Sequence, residues 1–252
     1  MVKKVTEHLP IPSISSDSKS PAIDLVSLCE TMKWSNAVIC IGRQTPLATA
    51  IREINDLPST LSDFAEQRLV LIRLQSTNSA SFFESLAIEV VNRWERAVRS
   101  LERLDAVTIV EVSGPCGGLA LDLILACDYR LATADFRLEL PLCDGRLWPG
   151  MGLYRLAQQI GLAHTRRLLL SKDPLSHERC VELGLIDMID VWPLDLPHRP
   201  NRHGARDLAI RRRLLLEALS TSYEDALGTH LAACDRELRQ RNEVHHVRPE
   251  TD

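Results

Sequence analysis

Residues 113–128 read SGPCGGLALDLILACD and carry the most informative pattern of the chain. The apolar residues 106–112 before it are typical of a buried strand, its three glycines predict a turn, and residues 119–126 predict an apolar helix. One carboxylate, Asp122, lies among the aliphatic residues of that helix. An ionised carboxylate in apolar surroundings is unfavourable unless it has a partner or a chemical task, and helix-start N–H groups favour negative charge. The stretch therefore predicts a site suited to enolate chemistry.

Strand-like and helical segments alternate along the chain. Short apolar runs typical of strands lie at residues 36–41, 68–74, 106–112, 129–132, 136–140 and 185–189. Apolar residues at helical spacing lie at 47–64, 83–101, 119–126, 151–159, 163–170 and 177–183, followed by two closing helices at 205–219 and 222–241. This alternation predicts an α/β protein with a largely parallel sheet.

Composition divides the chain into five segments. Residues 1–20 are rich in Ser, Pro and Lys and are predicted to be a disordered lead-in, and residues 21–192 are predicted to form the α/β core. Residues 193–204 are rich in proline and have little periodicity, which predicts a loop. Residues 205–242 form a helical region that we expect to support oligomerisation, and residues 243–252 form a tail.

Charge and composition argue against several classes of function. A net charge of −4 gives no reason to expect nucleic-acid binding, and the basic run 211–213 fits a solvated helix face. No apolar run approaches the roughly 20 residues that cross a bilayer. The histidines lack companions at metal-ligand spacing, so no metal is expected. Seven cysteines without a Cys-x-x-Cys pair, and no signal-peptide pattern, favour a reducing, cytoplasmic setting.

Four motifs follow one another over about eighty residues. They are a glycine turn leading into a helix that ends Ala-Cys-Asp, a strand that ends at a proline, a Pro-Gly-x-Gly turn, and Leu-Gly-Leu-Ile, at residues 114–128, 136–141, 149–152 and 183–186. In this order and spacing they resemble the crotonase (enoyl-CoA hydratase/isomerase) superfamily. The segments 91–104, 148–156 and 221–236 resemble, more narrowly, its DpgB-type subgroup.

This resemblance implies a crotonase-like fold of repeated ββα units, with C-terminal helices that support a homotrimer or hexamer. It implies an acyl-CoA thioester as substrate, with coenzyme A as part of that substrate and no separate cofactor. For the DpgB-type subgroup, the implied reaction is dehydration or tautomerisation through an enolate, in the formation of 3,5-dihydroxyphenylacetyl-CoA. The implied partner is then a type III polyketide synthase.

Carried over position by position, the resemblance also implies site residues. The backbone N–H of Leu119, directly after Gly118, corresponds to one donor of the oxyanion hole, and such donors stabilise a developing enolate oxygen. Asp122 corresponds to the first glutamate of the hydratase pair. Leu142 stands where the second glutamate would be and cannot act as acid or base. Asp144, two residues on, either substitutes for that acid or is a turn residue, and the pattern favours the turn.

Four further residues are expected to contact the substrate: Cys116, Gly117, Leu142 and Trp148. No base lies near Cys116 in the sequence, so we do not expect its thiol to be a nucleophile. Trp94 is expected to be a core residue. The family's other oxyanion donor follows the strand that ends near Leu74, but residues 79–84 lack its motif, so that donor stays unassigned.

Two interpretations of Asp122 stay open. It is either a general acid/base that moves a proton next to a thioester, or a helix-start carboxylate satisfied by the helix dipole and an arginine such as Arg130. The matching hypotheses of function are an enzyme of enolate chemistry and a catalytically reduced helper of the synthase. A third is a double-bond isomerase acting on enoyl-CoA, which also manages with one carboxylate.

Overall fold

The computed structural model describes residues 36–64, 68–77, 87–143, 145–171, 173–190, 204–218 and 220–246. The ten strands are β1 Ala37–Gly42, β2 Leu69–Gln75, β3 Val107–Ser113, β4 Pro115–Cys116, β5 Tyr129–Ala132, β6 Arg137–Leu138, β7 Leu142–Cys143, β8 Arg146–Leu147, β9 Leu175–Ser176 and β10 Met188–Ile189. The seven helices are α1 Leu47–Thr60, α2 Ile88–Glu102, α3 Ala120–Ala126, α4 Met151–Ser171, α5 His177–Glu182, α6 Gly204–Ala218 and α7 Tyr223–His246. Both counts refer to these described ranges.

The main sheet has five strands in the order β1-β2-β3-β5-β10, and every pair in it is parallel. Since parallel strands need crossover connections, the helices between them lie against the sheet. The predicted α/β class with a parallel sheet is therefore confirmed. Two smaller sheets, β4-β6-β9 and the antiparallel pair β7-β8, extend the structure around the glycine turn that follows β3.

The main core lies on the face of the sheet that α1, α2 and α3 cover. All seven residues of α3 are buried, as a helix that is apolar on every side should be. The opposite face carries a smaller cluster of buried residues, Leu71, Val107, Ile109 and Leu131, against which Leu208 of α6 packs. The glycine turn and the start of α3 are thus supported by packed apolar side chains.

Several boundaries differ from the sequence-based prediction. Residues 151–159 and 163–170 belong to one segment, α4, with a break in helical geometry at Gly161, whose φ is +79°. The last strand is shorter than predicted, because Leu185 and Ile186 instead donate their N–H groups to the carbonyl of Cys180 in the turn that ends α5. Gly184 ends that helix with a φ of +70°, as expected.

The predicted lead-in at 1–20 and most of the loop and tail at 193–204 and 243–252 lie outside the described residues. The two closing helices are present as α6 and α7. Within the described part of the chain, every helix is too short or too polar to cross a lipid bilayer.

Candidate active site

The glycine turn after β3 is hydrogen-bonded to Thr77, which follows the end of β2. The N–H of Gly117 donates to the Thr77 backbone carbonyl and to its Oγ1, both at 3.1 Å, and the Thr77 hydroxyl donates back to the Gly117 carbonyl at 3.0 Å. Thr77 is buried, so these bonds are shielded from water. The next residue, Gly118, has a φ of +60°, a conformation that favours glycine. Sequence reasoning missed Thr77, which lies far from the turn along the chain.

Leu119 caps the start of α3 with its backbone alone. Its side chain is buried in the main core, and α3 has no side-chain cap. Among the described residues, the Leu119 N–H donates to no acceptor. A helix start with an unbonded N–H favours a negatively charged oxygen. A leucine at this position is therefore compatible with a donor role, because only its backbone is needed.

Asp122 is buried, and both of its carboxylate oxygens accept hydrogen bonds from side chains. Its Oδ2 accepts from Trp94 Nε1 at 3.0 Å, and its Oδ1 accepts from Arg155 Nη1 at 3.1 Å. Burial raises the pKa of Asp122, although Arg155 and the Trp94 N–H act in the opposite direction. Trp94 is a core residue, as expected, but it is also a hydrogen-bond donor to the candidate acid.

The interpretation of Asp122 as a carboxylate paired with an arginine such as Arg130 named the wrong arginine. Arg130 instead donates to the backbone carbonyls of Leu125 and Cys127 at the far end of α3. Arg155 of α4 takes its place, and its Nη1 and Nε also donate to Glu95 Oε2 at 3.1 Å and Glu102 Oε1 at 2.6 Å. The sequence holds one hint of this cluster. Glu95 and Glu102 are seven residues apart, which places them on one face of α2.

A small cavity brings the predicted turn, acid and tryptophan together. It is lined by Gly118, Leu121, Asp122, Pro141, Leu147, Trp148, Gly150, Gly152 and Leu153. Gly152 lies so close to the acid that an added Cβ would come within 3.1 Å of Asp122 Oδ1 and 3.3 Å of Leu121 Cδ2. The glycine of the Pro-Gly-x-Gly turn therefore lets α4 approach α3 at the candidate acid.

Comparison with known proteins identifies the family. No family model matches the chain. A protein of Amycolatopsis orientalis described as "Enoyl-CoA-hydratase" is 40% identical over 208 residues, which are 81% of this chain and 96% of that protein. The chain belongs to the enoyl-CoA hydratase/isomerase, or crotonase, superfamily.

A more distant relative is the fatty acid oxidation complex subunit alpha of Aliivibrio fischeri, 30% identical over 51% of this chain but only 18% of that longer protein. Two solved structures share the crotonase fold. The enoyl-CoA hydratase/isomerase from Cupriavidus metallidurans CH34 has a TM-score of 0.64 and 20% identity, over 81% of this chain and 85% of that one. The enoyl-CoA hydratase from Thermoplasma volcanium GSS1 has a TM-score of 0.65 and 15% identity, over 85% and 94%.

The remaining predicted site residues of this crotonase are placed as follows. Cys116 is fully buried, with its Sγ 3.4 Å from the Ser113 carbonyl oxygen, and burial raises the pKa of its thiol. This position in the core argues against Cys116 as a substrate contact. Leu142 pairs with Leu147 in the β7-β8 hairpin beside the cavity. Asp144 and residues 79–84 lie outside the described residues, so the second acid and the other oxyanion donor stay predictions.

The arrangement suits proton transfer by one carboxyl group. Asp122 is buried among apolar residues, which favours its protonated form, while Arg155 and Trp94 stabilise its ionised form. A carboxyl whose pKa is raised by burial, and whose ionised form still has hydrogen-bond donors, is able both to accept and to return a proton. The carboxylates closest to it in the described hydrogen-bond network, Glu95 and Glu102, are both engaged by Arg155. The described residues thus provide one acid at the cavity.

Proposed function

We propose that this crotonase acts on an acyl-CoA thioester by dehydration or tautomerisation through an enolate. The observation that carries the proposal is that Asp122, buried and hydrogen-bonded at both oxygens, lines the same cavity as Gly118. The N–H of the adjacent Leu119 would donate to the thioester oxygen. Coenzyme A would then enter as part of the substrate, and the described residues would supply the proton transfer themselves.

In the proposed step, the Asp122 carboxylate takes a proton from the carbon next to the thioester carbonyl. The electron pair of that C–H bond becomes the enolate, whose oxygen is stabilised by the Leu119 N–H. In tautomerisation the same carboxyl returns the proton to another carbon or oxygen of the enolate. In dehydration it protonates the departing hydroxyl, which leaves as water. Both reactions balance with one carboxyl, which agrees with a leucine at position 142.

The substrate we propose is a polyketide-derived thioester on the way to 3,5-dihydroxyphenylacetyl-CoA, made by a type III polyketide synthase. The support is the likeness of three segments, including the tryptophan-bearing turn at 148–156, to the DpgB-type subgroup. Trp148 lines the small cavity beside Asp122, so an aromatic side chain is present where the acyl group is proposed to bind. Loss of water and a shift of double bonds are the steps that convert a cyclised polyketide into an aromatic ring.

The proposal is tested by measuring 3,5-dihydroxyphenylacetyl-CoA formed by the synthase alone, with this chain, and with its Asp122→Asn variant. We expect the parent chain to raise product formation and the variant to fall short of it by at least about tenfold, since general acid/base groups contribute that much or more. A variant as effective as the parent would remove Asp122 from the chemistry. It would support the helper hypothesis, which the leucine at position 142 favours.

The isomerase hypothesis is separated from these two by its substrate. A β,γ-unsaturated acyl-CoA is converted to its α,β isomer by moving one proton, which the single carboxyl at the cavity allows. Conversion of that compound at a rate equal to or above that of the polyketide thioester would identify the chain as an isomerase. No conversion, together with stimulated synthase output, would support the polyketide route.

We further propose that the chain forms a homotrimer or hexamer through its C-terminal helices. On α7, Leu227, Leu231 and Leu238 are 42%, 58% and 58% exposed, and their spacing places them along one side of the helix. Exposed leucines in a row indicate a surface covered by another protein. The Leu231→Glu variant should shift the mass measured by light scattering toward the monomer, and an unchanged mass would exclude this surface.

A further inference from the structure

The ion cluster behind Asp122 holds more negative than positive charge. Arg155 is its centre: Nη1 is 3.1 Å from both Asp122 Oδ1 and Glu95 Oε2, and Nε is 2.6 Å from Glu102 Oε1. The other carboxylate oxygen of Glu102 is 3.1 Å from Arg99 Nη1. Three carboxylates therefore face two guanidinium groups. With all of them ionised, one buried negative charge has no counter-charge within the cluster, which favours retention of one proton there.

Two of the carboxylates accept hydrogen bonds from one nitrogen. Asp122 and Glu95 share Nη1 of Arg155, whereas Glu102 accepts from Nε of Arg155 and from Arg99. Nη1 carries two hydrogens and donates to both carboxylates, so a charge on Glu95 shares the positive charge that stabilises ionised Asp122, and it also repels a charge on Asp122. The pair therefore has the geometry in which the protonation of one group controls the other.

Glu95 is the carboxylate of the cluster that is most open to water. Its side chain is 21% exposed, against 13% for Asp122, 7% for Arg155 and 5% for Glu102. It lines a cleft of about 490 Å³ together with Arg96, Arg99, Met151, Tyr154 and Gln158. The small cavity beside Asp122 is lined by other residues. Within the cluster, Asp122 therefore faces the proposed substrate cavity, whereas Glu95 faces the solvent-exposed cleft.

We propose that Glu95 is a positioning residue that sets the protonation of Asp122 through the Arg155 nitrogen they share. This inference rests on the proposed catalytic role of Asp122. An ionised Glu95 makes Asp122 a stronger proton acceptor, and a protonated Glu95 leaves more of the positive charge of Arg155 to stabilise ionised Asp122. The arginine keeps its own proton throughout, since the carboxylates around it raise its pKa in spite of its burial.

The electrostatics of the neighbouring groups agree with this role. In the described structure, Asp122 contacts Trp94 of α2 and Arg155 of α4 directly, and Arg155 links it to Glu95 and Glu102 of α2, of which Glu102 also pairs with Arg99. Burial is the main cause that raises the pKa of Glu95, and the charge of Asp122 raises it further. Burial raises the pKa of Asp122, and the charge of Glu102 raises it further. Because the repulsion between two charges is mutual, a charge on Glu95 also makes Asp122 harder to ionise.

The test is the pH dependence of kcat/KM for Glu95→Gln beside the parent protein. Glutamine removes the negative charge and keeps the shape, so Asp122 should ionise more easily. The acidic limb of the profile, which reports ionisation of the base in the free enzyme, should move to lower pH by about one unit. The conservative variant Glu95→Asp should return the limb toward its parental position. Glu89→Gln, an exposed change on the same helix, is the matched control and should not move it.

A direct readout keeps the inference testable if activity is low. The Asp122 carboxyl can be titrated by ¹³C NMR in the parent and in Glu95→Gln, and its pKa should fall in the variant. An unmoved limb and an unmoved titration would overturn the role of Glu95, as would an equal shift in Glu89→Gln. Full activity of Asp122→Asn would instead overturn the proposed function itself, so the two failures are distinguishable.

Discussion

Replacing Arg155 by methionine removes the positive centre of the cluster while keeping much of the apolar volume. Arg155 is only 7% exposed and makes ion pairs with three carboxylates, of which Glu102 and Asp122 are themselves buried. Removing one partner of a buried ion pair typically destabilises a protein by about 3 to 5 kcal/mol, because it leaves an uncompensated charge. We expect a loss in that range at pH 7.

The size of this loss should depend on pH. Without Arg155, the pKa values of Asp122 and Glu95, already raised by burial, should rise further in the folded state. A folded state that binds more protons than the unfolded state loses stability as the pH rises. The loss in Arg155→Met should therefore be smaller at pH 5 than at pH 7, since the carboxyls can then take up protons.

Urea unfolding at both pH values measures this directly. The matched control is Arg179→Met, which breaks the exposed pair with Glu182 at 2.6 Å and should lower the free energy of unfolding by less than about 1 kcal/mol. A loss below about 1 kcal/mol for Arg155→Met at pH 7, or an equal loss at both pH values, would show that Arg155 does not hold the buried carboxylates together.

Two other variants test the packing and hydrogen bonding of the acid. Gly152→Ala places a Cβ 3.1 Å from Asp122 Oδ1, so we expect it to destabilise the protein by about 1 to 3 kcal/mol and to lower turnover. In Gly228→Ala on α7 the added Cβ meets nothing within 4 Å, so this control should neither destabilise the protein nor lower turnover. Equal effects of the two variants on thermal unfolding and turnover would contradict the close contact at Gly152. Trp94→Phe removes the hydrogen-bond donor to Asp122 Oδ2, which stabilises the ionised carboxylate. The acidic limb of the kcat/KM profile should therefore move to higher pH, in the direction opposite to Glu95→Gln. A shift to lower pH would contradict the role of this hydrogen bond.

Local patterns in the sequence were sufficient for the fold near the site. The apolar residues 106–112, the glycines at 114–118 and the apolar run at 119–126 predict a strand, a turn and a buried helix, and each is present. The same patterns placed Asp122 in that helix, and the structure buries it. These features depend on residues close together along the chain.

The partners of Asp122 could not be predicted in the same way. Arg155 is 33 residues from Asp122 and 60 from Glu95, and the contacts arise only when α2 and α4 pack on either side of α3. Arg130 is closer in sequence, but it lies at the other end of α3 and donates to backbone carbonyls there. Periodicity indicates which face of a helix is buried; it does not indicate which distant helix covers that face.

In the proposed reaction, Asp122 moves a proton on the carbon next to a thioester. Exchange of that C–H into D₂O can be followed by ¹H NMR with 3,5-dihydroxyphenylacetyl-CoA, the parent protein and Asp122→Asn. We predict that the parent exchanges the proton faster than buffer alone and that the variant is slower than the parent by about tenfold or more. Equal exchange by the parent and the variant would contradict the claim.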